Sequence, residues 1–123
     1  MDEALACCRQ EVDENTLVLA QKVLDKKGVW LQECSDGFAL LGNKVRLDIV
    51  YLLLNFPRLC VCDFCDLLKM SAPAVSQHLR KLKDGRLLFS KKEGVTVFYA
   101  VREEIKPKLA NYLDIPYNKD ESC

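Results

Sequence analysis

The chain lacks most of what a catalytic or membrane-bound protein would need. It has one histidine, His78, in 123 residues, which excludes a histidine-rich metal site. Its longest apolar run, Ile49 to Leu54, is six residues, against about 20 for a membrane-spanning helix. No basic segment followed by an apolar stretch stands near Met1, so no secretory signal is expected, and neither is a membrane partner. There are five glycines and no Gly-rich phosphate loop. Net charge is zero, which taken alone speaks against a nucleic-acid partner.

Cysteine is the exception. Seven are present, an odd number and a high one for the cytoplasmic location expected here. In a reducing compartment, clustered thiols serve as metal ligands or redox groups more often than as disulfides. Three stand in Leu59-Cys60-Val61-Cys62-Asp63-Phe64-Cys65. Cys34, isolated between Glu33 and Ser35, reads instead as a small packing residue. Charge is also unevenly placed. From Ser71 to Arg102 seven basic residues face two acidic ones, a local +5, whereas from Met1 to Asp25 six acids face two bases, a local −4. A basic face on a neutral chain is the footprint that phosphate contact requires.

By length the chain is one domain, residues 1–123, with a flexible N-terminal arm over 1–12 and a frayed C-terminal tail over 114–123. Apolar spacing predicts helices over Glu14–Leu31 and Phe38–Leu54, the second ended by Asn55-Phe56-Pro57. Its expected apolar contacts include Leu40, Leu41, Leu47, Val50, Tyr51 and Leu54. A short helix over Cys62–Met70 would bury Phe64, Leu67 and Leu68. Ser71 is a good N-cap, and Pro73 fits the first turn of a helix running to Asp84, where Gly85 stops it. Two strand-like runs, Leu87–Lys91 and Val95–Val101, are joined through Gly94 as a hairpin. A last helix is predicted over Arg102–Leu113, with Pro107 kinking it or marking its true start. The fold class is mostly α with a small β-hairpin, and the order α-α-α-α-β-β-α is that of a winged helix-turn-helix.

At about 100° per residue, Val75, Leu79 and Leu82 share one side of the helix after Ser71. Ser76, Gln77 and Arg80 cluster opposite, flanked by Ala74 and Lys81. Such polar and basic side chains hydrogen-bond base edges and phosphates. The candidate contacts with double-stranded operator DNA are Ser71, Ala74, Ser76, Gln77, Arg80 and Lys81, with Lys91 and Lys92 on the wing. His78 falls at the border of the core face, in a partly buried or dimer-facing role.

Three thiolates without histidine suit soft, thiophilic ions. The spacing C-x-C-x₂-C differs from the paired C-x₂-C of a zinc ribbon. Cys60, Cys62 and Cys65 could hold As(III) or Sb(III), which take three sulfurs; Pb(II) and Hg(II) also accept three, and Cd(II) wants a fourth. On an ideal helix Cys62 and Cys65 lie about 60° apart, while Cys60 lies roughly 140–160° from both. The three sulfurs therefore converge only if Cys60 precedes the helix or the first turn unwinds. Cys7 or Cys8 could add a ligand from the arm, and Cys123 is a more distant candidate.

Residues Phe38 to Val101 resemble the ArsR/SmtB family of metal-responsive bacterial repressors. The resemblance is carried by Ala39-Leu40-Leu41-Gly42-Asn43-Lys44-Val45-Arg46-Leu47, the cysteine run, Ser71-Ala72-Pro73-Ala74-Val75-Ser76-Gln77-His78-Leu79, and the wing ending Phe98-Tyr99. It implies a homodimer joined through the first and last helices, bound to an inverted-repeat operator and released by an inducing ion. The three-cysteine run is similar to that of arsenite and antimonite sensors; N-terminal cysteines are a feature of the cadmium and lead sensors, and this chain has both. A thiol redox switch on the same scaffold is the other reading. An enzyme is not expected.

Overall fold

The computed structural model describes residues 10–113. The chain divides into two compact units at the Cys34–Ser35 boundary. Helix α1 (Glu14–Leu41) begins in the first unit and ends in the second. Its start is set by Asp13, whose carboxylate accepts the Thr16 N–H at 3.0 Å and the Thr16 hydroxyl at 2.8 Å, as an N-cap should. No residue of α1 is fully buried, and Leu17, Val18, Leu24, Trp30 and Leu31 are exposed.

The second unit holds the end of α1, then α2 (Lys44–Asn55), β1 (Leu59–Cys60), α3 (Val61–Leu68), α4 (Ala72–Asp84), β2 (Leu88–Glu93), β3 (Thr96–Val101) and α5 (Lys106–Tyr112). The break between α1 and α2 lies at Gly42-Asn43, not between Leu31 and Phe38 as the apolar spacing predicts. Asn43 caps α2 by accepting the Arg46 N–H at 3.1 Å. Arg46 in turn donates from Nε to the Leu40 carbonyl at 2.7 Å, filling one of the acceptors that the end of α1 leaves open. Asn43 is a weak signal beside the leucines around it, and the hydrophobic pattern runs through the break.

Helix α4 has the predicted bounds and cap: Ser71 accepts the Ala74 N–H at 3.4 Å, and Pro73 sits in the first turn. Its C-terminus differs from expectation in one respect. Gly85 has φ −79, and the left-handed position falls on Arg86, with φ 62. The bonds from Arg86 N–H to Lys83 O and from Leu87 N–H to Leu82 O, both 3.0 Å, form a Schellman motif. Glycine at 85 answers a different need: a Cβ there would meet Leu40 Cδ1 at 2.1 Å.

The sheet has three strands in the order β1-β3-β2, all antiparallel. The hairpin β2–β3 turns at Gly94-Val95, with Glu93 opposite Thr96 and Gly94 at φ 63. Strand β1 is absent from the sequence reading because two residues are too short to show alternation. Helix α5 starts at Lys106 rather than Arg102, with Pro107 in its first turn, so the proline marks the start.

The core joins Ile49, Val50 and Leu53 of α2, Phe64 of α3, Val75, Leu79 and Leu82 of α4, Leu88 of β2 and Val101 of β3. The α4 triplet is as predicted. Tyr51 and Leu67, expected inside, are 49% and 55% exposed, because Val50 and Leu53, and Phe64 and Leu68, take the inward positions on their helices.

His78 is half-buried, with Nδ1 at 3.4 Å from Arg46 Nη1. Arginine has only donors to offer, so this contact is a hydrogen bond only where Nδ1 carries no proton. Burial, then the charges of Arg46 and Lys81, holds the imidazole below its usual 6.5. Two outcomes are expected. Phe64→Ala should cost about 3–5 kcal/mol in urea unfolding, since Phe64 has no exposed surface. A folded-state pKa below that of the unfolded chain means that the His78 contribution is complete above pH 6.5 and is lost as pH falls toward the folded value. Thermal melting at about pH 7.5 and about pH 5.5 should show a drop that His78→Gln reduces.

Candidate metal and nucleic-acid site

Helix α4 turns its core triplet inward and leaves Ser71, Gln77, Arg80 and Lys81 exposed, with Ala74 and Ser76 half-buried beside them. Ser71 is committed to capping; Gln77 and Arg80 are the longer polar side chains of the outward face. Lys91 and Lys92 are exposed on β2, the strand entering the hairpin turn. Lys83 donates to the Ser90 hydroxyl at 2.8 Å, a tie between α4 and the wing that spacing alone did not reveal.

The three thiols of the run have different settings. Cys60 closes β1 and is also the N-cap of α3, with extended φ −97 and ψ 170. A capping box joins it to Asp63, whose carboxylate accepts the Cys60 N–H at 3.0 Å. That amide, and then the Cys60 thiol, holds the Asp63 carboxyl below its usual 3.8. Cys62 is exposed, and Cys65 is half-buried against the core. Among the described residues no three cysteine, histidine or acidic side chains converge into a ready-made metal site. Cys7, Cys8 and Cys123 lie outside the described residues. Cys34 is half-buried on α1, not a fully enclosed packing residue.

Helix α3 ends on Lys69 in the left-handed region, φ 56, and the Lys69 and Met70 amides both donate to the Cys65 carbonyl. The residue that carries the third thiol thus also anchors the turn into α4.

Arg58 has no counterpart in the sequence reading. Its guanidinium lies over the Phe98 ring, 3.8 Å from Cζ to the centroid, and pairs with the Glu93 carboxylate. Phe98 is the strand partner of Cys60 on one side and Lys91 on the other. The signal for Arg58 was its place two residues before Cys60, but a strand of two residues hides that phase.

No helix among the described residues is long and apolar enough to cross a membrane. Residues 43–88 match the family described as "Bacterial regulatory protein, arsR family". The arsenical resistance operon repressor of Escherichia coli K12 is 39% identical over 77 residues, 63% of this chain and 66% of that one. The cadmium resistance transcriptional regulatory protein CadC of Listeria innocua is 32% identical over 87 residues, 71% of each chain. Among solved structures, the homodimeric winged helix-turn-helix DNA-binding domain of Mb0332 from Mycobacterium bovis superposes with a TM-score of 0.63 at 26% identity, covering 73% of this chain and 82% of that one. With this fold and these relatives, the chain belongs to the arsR family of bacterial regulatory proteins: it is a DNA-binding transcriptional regulator and not an enzyme.

Proposed function

We propose that the chain is a repressor that binds operator DNA as a homodimer and leaves it when As(III) or Sb(III) is taken by Cys60, Cys62 and Cys65. One observation carries this reading: all three thiols stand on the first five residues of α3 or at its cap, and α3 shares its core with the helix that presents Gln77 and Arg80. The donor set fits a soft ion. It offers three sulfurs and no imidazole, while the carboxylate between them is committed to the cap. A ligand shifts an equilibrium only by binding one state better. An ion that needs three converging sulfurs, which this structure does not offer, favours an altered start of α3.

Dimerisation is supported by the exposed apolar residues of α1 and by the homodimeric relative. Phe38 of α1 and Tyr112 of α5, 51% and 67% exposed, lie 5.4 Å apart at their ring centroids, and large aromatic rings exposed together are typical of an interface core. A Cd(II), Pb(II) or Hg(II) response is favoured over As(III) only if Cys7 or Cys8 joins the set, and the 32% identity to CadC keeps that reading second. A disulfide between two of the clustered cysteines is the remaining reading.

Fluorescence anisotropy of promoter DNA under reducing conditions tests the proposal. Arsenite should release the wild-type protein, and Cys60→Ser, Cys62→Ser and Cys65→Ser should each abolish that release while leaving DNA affinity within a few-fold. Retention of arsenite release by all three variants would sink the assignment; release by Cd(II) alone, dependent on Cys7 or Cys8, would hand it to cadmium. Peroxide release without metal would support the redox switch.

Base reading and phosphate binding separate in a second measurement. Gln77→Ala and Arg80→Ala should each weaken operator binding by about 1–3 kcal/mol and relax sequence preference. Lys91→Ala and Lys92→Ala should weaken binding to every sequence alike and lower the salt slope by about 1 each.

A further inference from the structure

We infer that Arg58 is a positioning residue that latches strand β1, which carries the Cys60 thiol, to the wing, so that the state of Cys60 is passed to the hairpin as well as to α4. The inference rests on the proposal that Cys60 ligates the inducer and names the route by which that ligation reaches DNA.

Arg58 and Cys60 are two residues apart in extended chain, which puts both on one face of the sheet. Directly paired strand residues also share a face. Cys60, Phe98 and Lys91 therefore form a row across β1, β3 and β2. Arg58 reaches over the middle of that row to the Phe98 ring and continues to Glu93, the last residue of β2 before the turn. Leu59, between Arg58 and Cys60, packs on the core from the other face. One short segment thus touches both wing strands and supplies the cap of α3.

Two consequences follow for the wing. Glu93 is the acidic residue beside Lys91 and Lys92, and an unpaired carboxylate there would repel the phosphates that the lysines attract. Arg58 neutralises it. The stacking on Phe98 also sets where β3 lies against β1. The thiols of Cys60, Cys62 and Cys65 do not converge with Cys60 paired to Phe98 and its N–H bonded to Asp63. Gathering the sulfurs displaces either β1 or the first turn of α3, and displacement of β1 carries Arg58 away from Phe98 and Glu93.

The test is the coupling between ligand and DNA, measured in the full-length protein with sodium arsenite and promoter DNA. Wild-type coupling in such systems is about 5–150-fold, and it must be equal in both directions. Arg58→Ala should weaken DNA binding without arsenite by about tenfold and reduce the arsenite effect by the same factor. Arsenite affinity of the DNA-free protein should rise, because the latch no longer opposes it. Arg58→Lys, which keeps the charge but not the planar stack, should recover part of the loss. Phe98→Leu, which keeps an apolar side chain, should reproduce the Arg58→Ala loss of coupling.

A direct phosphate contact by Arg58 would give another pattern: a salt slope lower by about 1 with unchanged coupling. That result overturns the inference, as does an Arg58→Ala protein with wild-type coupling. If the wild type ignores arsenite, the inducer assignment fails, and the latch is then judged by amide hydrogen exchange in the metal-free protein. Faster exchange at Phe98 and Tyr99 in Arg58→Ala supports it; unchanged exchange overturns it.

Discussion

Burial of Phe64 is the constraint on which the winged unit depends. It is the one fully buried side chain of α3, and its ring belongs to the same core as Leu53 of α2 and Val75 and Leu79 of α4. Fixing one large ring fixes the rotation of an eight-residue helix. Cys62 is then turned outward and Cys65 held against the core, while Cys60 remains ahead of the helix in the strand. The chemistry of the run is thus spread around a rigid pivot. Under the proposed function, an ion that gathers three sulfurs would work against packing that the whole unit shares.

Electrostatics explains how a neutral chain meets a polyanion. The positive residues from Arg80 to Lys92 lie on α4, on the turn after it and on the wing. From Ser71 to Arg102 there are only two acids, and one of them, Glu93, is paired by Arg58. Surface ion pairs contribute little to stability, so the role of this one is better sought in where it places charge. Arg46 shows the same economy inside the unit. One guanidinium caps the end of α1 at Leu40 and faces the His78 ring, joining α1, α2 and α4.

Legibility varied with the strength of local signals. Helix α4 was readable to its ends because a serine cap, a first-turn proline and a regular apolar triplet agree. The break between α1 and α2 was misplaced because Asn43 competes with leucines on both sides and its cap bond reaches only three residues. The start of α5 was read four residues early, since the i, i+4 spacing of Ile105 and Leu109 continues across the turn before Pro107. Exposed Tyr51 and Leu67 were placed inside because an apolar residue on a helix carries no label for its partner.

Residue types and spacing were enough to establish a winged helix-turn-helix with three thiols just ahead of α4, because helix caps and apolar periods are local properties. The absence of a converged three-thiol group among the described residues, the pairing of Cys60 with Phe98 and the reach of Arg58 to Glu93 came from the folded chain alone. Those depend on strands and helices distant in sequence meeting at one edge of a sheet, and no local pattern encodes which residues will meet there.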